Sequence, residues 1–195
     1  MVGPTKQFDQ DEALGKALHL FWEKGYEAAS MQDLVNAMGI NRASMYQTYG
    51  NKYDLYVASI DRYIENSVAM LNQTLDDPGS PLENLRGLFQ LLVMGSLEGE
   101  MQGCFLNNTA IELGPHDTVM AEKIRNAWAQ FEDVFTVMMQ RAIDAKEIKA
   151  DADPRLLAQL LNITLQGLIA QTKANTPKEK LFDSINVFID LLRLS

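Results

Sequence analysis

Cysteine is nearly absent from this chain. Cys104 stands alone in 195 residues, so no intrachain disulfide can form and the expected setting is a reducing compartment. Two histidines and one cysteine are too few for a dedicated transition-metal site, and no cofactor is expected. Glu112, His116 and Asp117 lie close together, but His116 follows Gly114-Pro115 and reads as the lead-in to a helix that Asp117 caps. The other histidine, His19, falls in a polar slot of a helical pattern. Long apolar runs are missing too. The nearest to one, LLAQLLNITLQGLIA, is interrupted by Gln159, Asn162, Thr164 and Gln166, so no membrane span is expected. The N-terminal MVGPTKQFDQDEA lacks the apolar core of a signal peptide, which points to a cytoplasmic protein. The phosphate loop G-x-x-x-x-G-K, the nucleophile elbow G-x-S-x-G and the zinc motif H-E-x-x-H are all absent, which argues against an enzyme. Sustained alternation, the mark of strands, is absent as well.

What is present is a helical grammar, densest from Ser30 to Leu55. Ser30, Asn41 and Asn51 each can cap a helix, and Asp33, Ser44 and Asp54 stand three residues later, where a side chain can reach back to the cap. Gly39 and Gly50 sit where a left-handed residue would end one helix and turn the chain. Two short helices joined by a tight glycine turn make a helix-turn-helix. The net charge of −9, taken over the whole chain, opposes a nucleic-acid partner. Between Asp33 and Asp54, however, the only charges are Arg42 and Lys52, and binding follows the local field. The second helix opens Asn41-Arg42-Ala43-Ser44 with side chains suited to base edges. Arg42 can fork onto guanine, Gln47 can pair adenine, Ala43 leaves room for a thymine methyl, and Ser44 can bond either way.

Around this stretch the chain reads as all-α. Leu14, Ala17, Leu18, Phe21 and Trp22 fall at helical spacing before Gly25. Leu34, Val35, Met38, Ile40, Met45 and Tyr49 give the next two helices an apolar side. A three-helix unit of roughly 50 residues is small for independent stability, so it should lean on the helix starting at Asn51. That helix carries Leu55, Ile60, Ile64, Val68, Leu71 and Leu75 before the linker Asp76-Asp77-Pro78-Gly79. Start signals recur at Ser80-Pro81-Leu82-Glu83, Asp153-Pro154 and Thr176-Pro177-Lys178-Glu179. They predict helices near 81–97, 104–113, 117–146, 154–174 and 177–193. About nine helices result, divided into a head at 1–50 and a ligand-binding and dimerisation body at 51–195.

The run INRASMYQTYGNKYDL resembles the signature of the tetracycline-repressor (TetR/AcrR) family of transcriptional regulators, through Tyr46, Tyr49, Lys52 and Leu55. Gly25-Tyr26, Ser30 and Gly39-Ile40 extend the likeness over residues 9–56, with Val35 and Tyr49 as apolar departures from commoner Ala and Phe. Beyond that, the run GCFLNNTAIEL resembles some family bodies. The resemblance implies that Ser30, Tyr46 and Lys52 anchor DNA phosphates, with Thr48 as a further contact and Tyr49 in the core. It implies a homodimer on a double-stranded, palindromic operator and a small-molecule effector. Dimerisation would run through residues 154–193, with Leu156, Leu157, Leu160, Leu161 and Leu168 as one apolar face and Leu181, Phe182, Ile185, Phe188, Ile189 and Leu192 as another.

The effector pocket is implied by the family, with Phe89, Met94, Cys104, Asn108, Trp128, Phe131, Phe135 and Gln166 as candidate walls. Phe105, Met138, Met139, Asn107 and Thr109 lie on the same helices, and each aromatic or methionine also suits plain core packing. Cys104 and Lys173 form a candidate redox pair, since a nearby ammonium favours the reactive thiolate; an inert buried thiol is the alternative. A repressor is the reading that results. A helical interaction protein, or an activator with the same head, is the alternative.

Overall fold

A computed structural model of the chain describes residues 8–76, 78–99 and 101–193, without the side chains of Leu75 and Asp76. The side chain of Leu75 in the expected apolar stripe, Asp77 of the linker and the stretch before Phe8 lie outside what the structure describes. Within them the chain is all-helical: α1 (Gln10–Lys24), α2 (Met31–Met38), α3 (Arg42–Tyr49), α4 (Lys52–Asp76), α5 (Pro81–Leu97), α6 (Phe105–Glu112), α7 (Thr118–Asp144), α8 (Pro154–Thr172) and α9 (Lys178–Arg193). Two compact units result, Met1–Glu65 and Asn66–Ser195. No helix among the described residues is long and apolar enough to cross a membrane.

Local chemistry sets the helix starts. Ser30 and Asp33 exchange both bonds of a capping box, at 3.0 and 3.2 Å. Asn51 and Asp54 repeat it at the head of α4: Asn51 Oδ1 accepts from the Tyr53 and Asp54 N–H groups, and Asp54 Oδ2 accepts from Asn51 N–H at 2.9 Å. At α3, Asn41 Oδ1 accepts from Ser44 N–H at 2.8 Å. Ser80, Asp117 and Asp153 cap α5, α7 and α8, and each such cap is worth about 1 kcal/mol. Gly39, at φ 70°, ends α2 in the left-handed conformation.

In the first unit, Ala17, Phe21, Leu34, Met38 and Met45 form a small core completed by Leu55, Tyr56 and Ile60 of α4. The head therefore does take the start of α4 as its fourth wall. Tyr56 is fully buried, edge-on to Phe21 with ring centroids 4.8 Å apart. Hydrophobic spacing passed over Tyr56 and Ser59. Ser59 is buried without penalty because its hydroxyl donates to the Leu55 carbonyl at 2.9 Å. Arg62 then ties α4 to α1 through a two-pronged pairing with Asp11.

In the second unit, α5 packs against α7, α8 and α9, α6 lies on α7, and α7 and α8 form a hairpin. Phe89 stacks on Phe188 and meets Phe135 edge-on, each with centroids 6.4 Å apart. Arg86 bridges α5 to α9, donating to Asn186 at 2.7 Å and Asp190 at 2.8 Å.

The expected apolar faces of α8 and α9 need correcting. Leu161 and Leu168 point into the unit's own core, whereas Leu156 and Leu160 are 61% and 46% exposed on another side of α8. On α9, Leu181, Ile185, Ile189 and Leu192 are likewise spent on the subunit's own core. The apolar residues left outside are Leu156, Leu160 and Ile163 on α8, and Val187 and Leu191 on α9. Both helices are apolar on more than one side, so listing leucines merged an inward face with an outward one.

Candidate nucleic-acid interface

Helix α3 is held by very little of itself. Met45 is its one fully buried residue, and Tyr49 fastens the far end by donating its hydroxyl to the Gln10 carbonyl at 2.6 Å. Burial pushes the Tyr49 phenol up from its ordinary value, in keeping with a structural role. Arg42, Ala43, Tyr46 and Gln47 are exposed, and Ser44 and Thr48 are half-buried. A short helix anchored by one face and presenting Arg, Ser, Tyr and Gln on the other has the chemistry of a major-groove reader. The Arg42 guanidinium lies 5.8 Å from the centre of the Tyr46 ring, a cation–π pair on the outer surface. Tyr46 is 45% exposed, unusual for a large aromatic side chain.

Two further expected contacts lie at helix starts. Ser30 is the N-cap of α2, where free N–H groups and the helix dipole favour a phosphate. Its partner Asp33 is held below the usual carboxylate range by the Ser30 hydroxyl first and by Lys24, 3.2 Å away, second. Lys52 opens α4. Its ammonium sits 4.5 Å from the centre of the Tyr26 ring and donates to the Glu27 carbonyl at 3.4 Å. In the sequence Tyr26 belongs only to the family likeness and has no role of its own; Lys52 is 26 positions away, beyond the reach of any local pattern.

The candidate pocket residues occupy α5, α6 with its N-cap Cys104, α7 and α8. Phe89, Cys104, Phe131 and Phe135 are buried, and Met94, Asn108, Trp128 and Gln166 are half-buried. Phe89 and Phe135 meet directly, while Asn108 turns its amide to the Gln102 carbonyl at 3.1 Å. Between α7 and α8, Asn162 donates to Glu132 at 3.3 Å, and Glu132 also pairs with Arg155. The Trp128 indole nitrogen, Asn162 Oδ1 and Gln166 Oε1 are buried without hydrogen-bond partners. Asn162 and Glu132 were not among the expected residues. Lys173 ends α8 with its stem against Gly103, its Cε 2.6 Å from where a Cβ on that glycine would stand, so it lies beside the Cys104 backbone. A shallow open groove of about 670 Å³ runs elsewhere, along α9, lined by Pro177, Lys180, Asp183, Val187, Phe188 and Leu191 among others.

Residues 13–58 match the profile described as "Bacterial regulatory proteins, tetR family", and residues 81–186 match "Tetracyclin repressor-like, C-terminal domain". The uncharacterized HTH-type transcriptional regulator YezE of Bacillus subtilis (strain 168) is 35% identical over 193 residues, covering 98% of this chain and all of YezE. The chain belongs to the TetR family. It is a DNA-binding transcriptional regulator and not an enzyme. Among other TetR-family relatives, the HTH-type transcriptional repressor ComR of Escherichia coli (strain K12) is 30% identical over 181 residues, 92% of this chain and 86% of ComR. A solved structure of a cysteine mutant of the TetR-family regulator CifR, bound to 26 bp of double-strand operator DNA, superposes with a TM-score of 0.84. It shares 27% identity and covers 96% of this chain and 98% of CifR. The family match over residues 13–58 takes in most of α1, all of α2 and α3 and the start of α4, with the helix-turn-helix made by α2, Gly39 and α3.

Proposed function

We propose that this TetR-family protein is a repressor that binds a palindromic operator as a homodimer and leaves it when a small molecule binds or Cys104 is modified. The observation that supports DNA reading most directly is the outer face of α3, where Arg42, Ala43, Ser44 and Gln47 take the base-reading role. Ser30, Tyr46, Thr48 and Lys52 take the phosphates. CifR bound to operator DNA and ComR named a repressor are in keeping with both parts of this reading. Residues 1–50 then act as the head, and residues 51–195 carry the effector and dimer functions.

One head offers few contacts, and a two-fold dimer doubles them on two half-sites. In favour of dimerisation through residues 154–193 are Leu156, Leu160 and Ile163 of α8 and Val187 and Leu191 of α9, apolar and exposed, the last two lining the groove along α9. For the effector, the unmatched Trp128 and Gln166 polar atoms favour a ligand carrying both an acceptor and a donor, since an unpaired buried polar group is costly. Such a ligand releases DNA only to the extent that it binds the released state more tightly. In the second route the Cys104 thiolate adds to an electrophile, helped by the Lys173 ammonium. Wild type and Cys104→Ser, each bound to operator DNA, should differ on electrophile treatment, with release confined to wild type; equal release rules out the cysteine route.

Genome-wide identification of the bound DNA tests the whole reading. Bound sites should share a palindrome, and transcripts from the adjoining promoters should rise when the gene is deleted. A fall would make the protein an activator, and no bound site at all would favour a helical interaction protein.

A further inference from the structure

We infer that Tyr26 is a positioning residue for DNA binding: its ring seats the Lys52 ammonium and holds it ready for a phosphate. The inference rests on the DNA reading proposed above and concerns what keeps that lysine in place. A lysine is a point charge on a four-carbon stem, and on an open surface its many rotamers must be lost on binding. Lys52 is half-buried instead, with its charge 4.5 Å from the Tyr26 ring centre and one N–H on the Glu27 carbonyl at 3.4 Å.

The seat itself is rigid. Tyr26 packs against Tyr56 at 4.9 Å between centroids, edge-on against Tyr53 at 6.2 Å, and stacked with Phe21 at 6.4 Å. Phe21 and Tyr56 are core residues, so the ring cannot swing away without disturbing the packing of the head. Glu27 lies three positions before Ser30, the cap of α2, so the seat brings the Lys52 charge to the segment that leads into that helix N-terminus. An ammonium has three N–H groups, and the carbonyl takes one. The ring and carbonyl together fix the direction of the stem and leave donor capacity for a phosphate oxygen. The opposite arrangement is a resting seat, which Lys52 must leave before it can touch DNA, and there the ring would compete with the phosphate.

Graded removal of the ring's negative face separates the two. Full-length protein carries Tyr26→Phe, then phenylalanines of rising fluorination at position 26, which keep the ring's shape while draining its π face. Binding is read by fluorescence anisotropy on two duplexes, one of random sequence and one from upstream of the protein's own gene, with thermal melts to confirm that each variant folds. Tyr26→Phe should bind like wild type. Affinity should then fall stepwise on both duplexes, reaching about fivefold per subunit, the size of an exposed cation–π contact. In a Lys52→Met background, itself short of about one phosphate contact per subunit in its salt dependence, the same series should change nothing. A flat series, a series that tightens binding, or an equal loss without Lys52 overturns the positioning role. Wild-type protein that binds neither duplex would instead sink the DNA reading on which the inference rests.

Discussion

Arg42 lies over the Tyr46 ring at the exposed start of α3, so its guanidinium is exposed and partly oriented. Arg42→Ala should cost about 1–3 kcal/mol of operator binding and relax the choice of sequence at one position. A gel-shift series with permuted operators checks it, and equal loss on random DNA would reduce Arg42 to an electrostatic contact. Asp33 shows a different dependence. Its carboxyl is held low by the Ser30 hydroxyl and by Lys24, and that of Asp11 is held low by its hydrogen bond to Arg62. A carboxylate with a lowered folded-state pKa stabilises fully above its unfolded value, about 3.9 for Asp, and loses that contribution as pH falls through the folded value. Thermal melts should therefore show the head losing stability below about pH 4, with the acid limb flattened in the Asp33→Asn and Asp11→Asn double variant. An unchanged acid limb would count against both pairings. These residue-level features were unevenly legible. Ser30 and Asp33 stand three apart in sequence and announced their box, whereas Arg62 meets Asp11 from 51 positions away.

The joint between α3 and α4 combines a left-handed glycine with a helix cap. Gly50 turns there with φ 83°, and a Cβ on it would stand 2.4 Å from Asp54 Oδ2, the carboxylate that caps Asn51 N–H. Gly50→Ala should therefore lose backbone comfort and the cap together, about 2–4 kcal/mol in a denaturant titration. Gly39→Ala, also left-handed but with open space around its Cβ, should cost only the backbone part, about 1–2 kcal/mol. If the two variants prove equally stable, the clash with Asp54 has relaxed away. Helix ends were read well from sequence throughout, because caps, prolines and terminal glycines act within a turn of themselves. Helix faces were read less well. α8 and α9 each carry inward and outward apolar residues, and Leu160 beside Leu161 cannot be told apart until α5 and α7 are seen to cover only the second.

At the scale of the whole molecule, the outward residues matter because they are apolar and exposed on the subunit's surface. Leu160→Asp with Leu191→Asp should leave helicity and core intact, since both are exposed, and should yield a monomer by light scattering at micromolar concentration. Loss of the second half-site should then weaken operator binding by at least 100-fold at physiological salt, an estimate in line with doubled contacts on a palindrome. A dimer that survives both charges would move the interface off this face. Much of the molecule was determined by sequence alone: the all-helical class, the helix boundaries, the capped helix-turn-helix and the membership of the TetR family. Those rest on interactions among residues a few positions apart, which sequence order already brings together. Tertiary structure decided what order cannot: Tyr56 as a core residue, the Tyr26 seat under Lys52, the unmatched polar atoms of Trp128 and Gln166, and which leucines of α8 remain outside. Each depends on a neighbour supplied by a distant element, and apolar spacing reports that a face will be buried without naming what buries it.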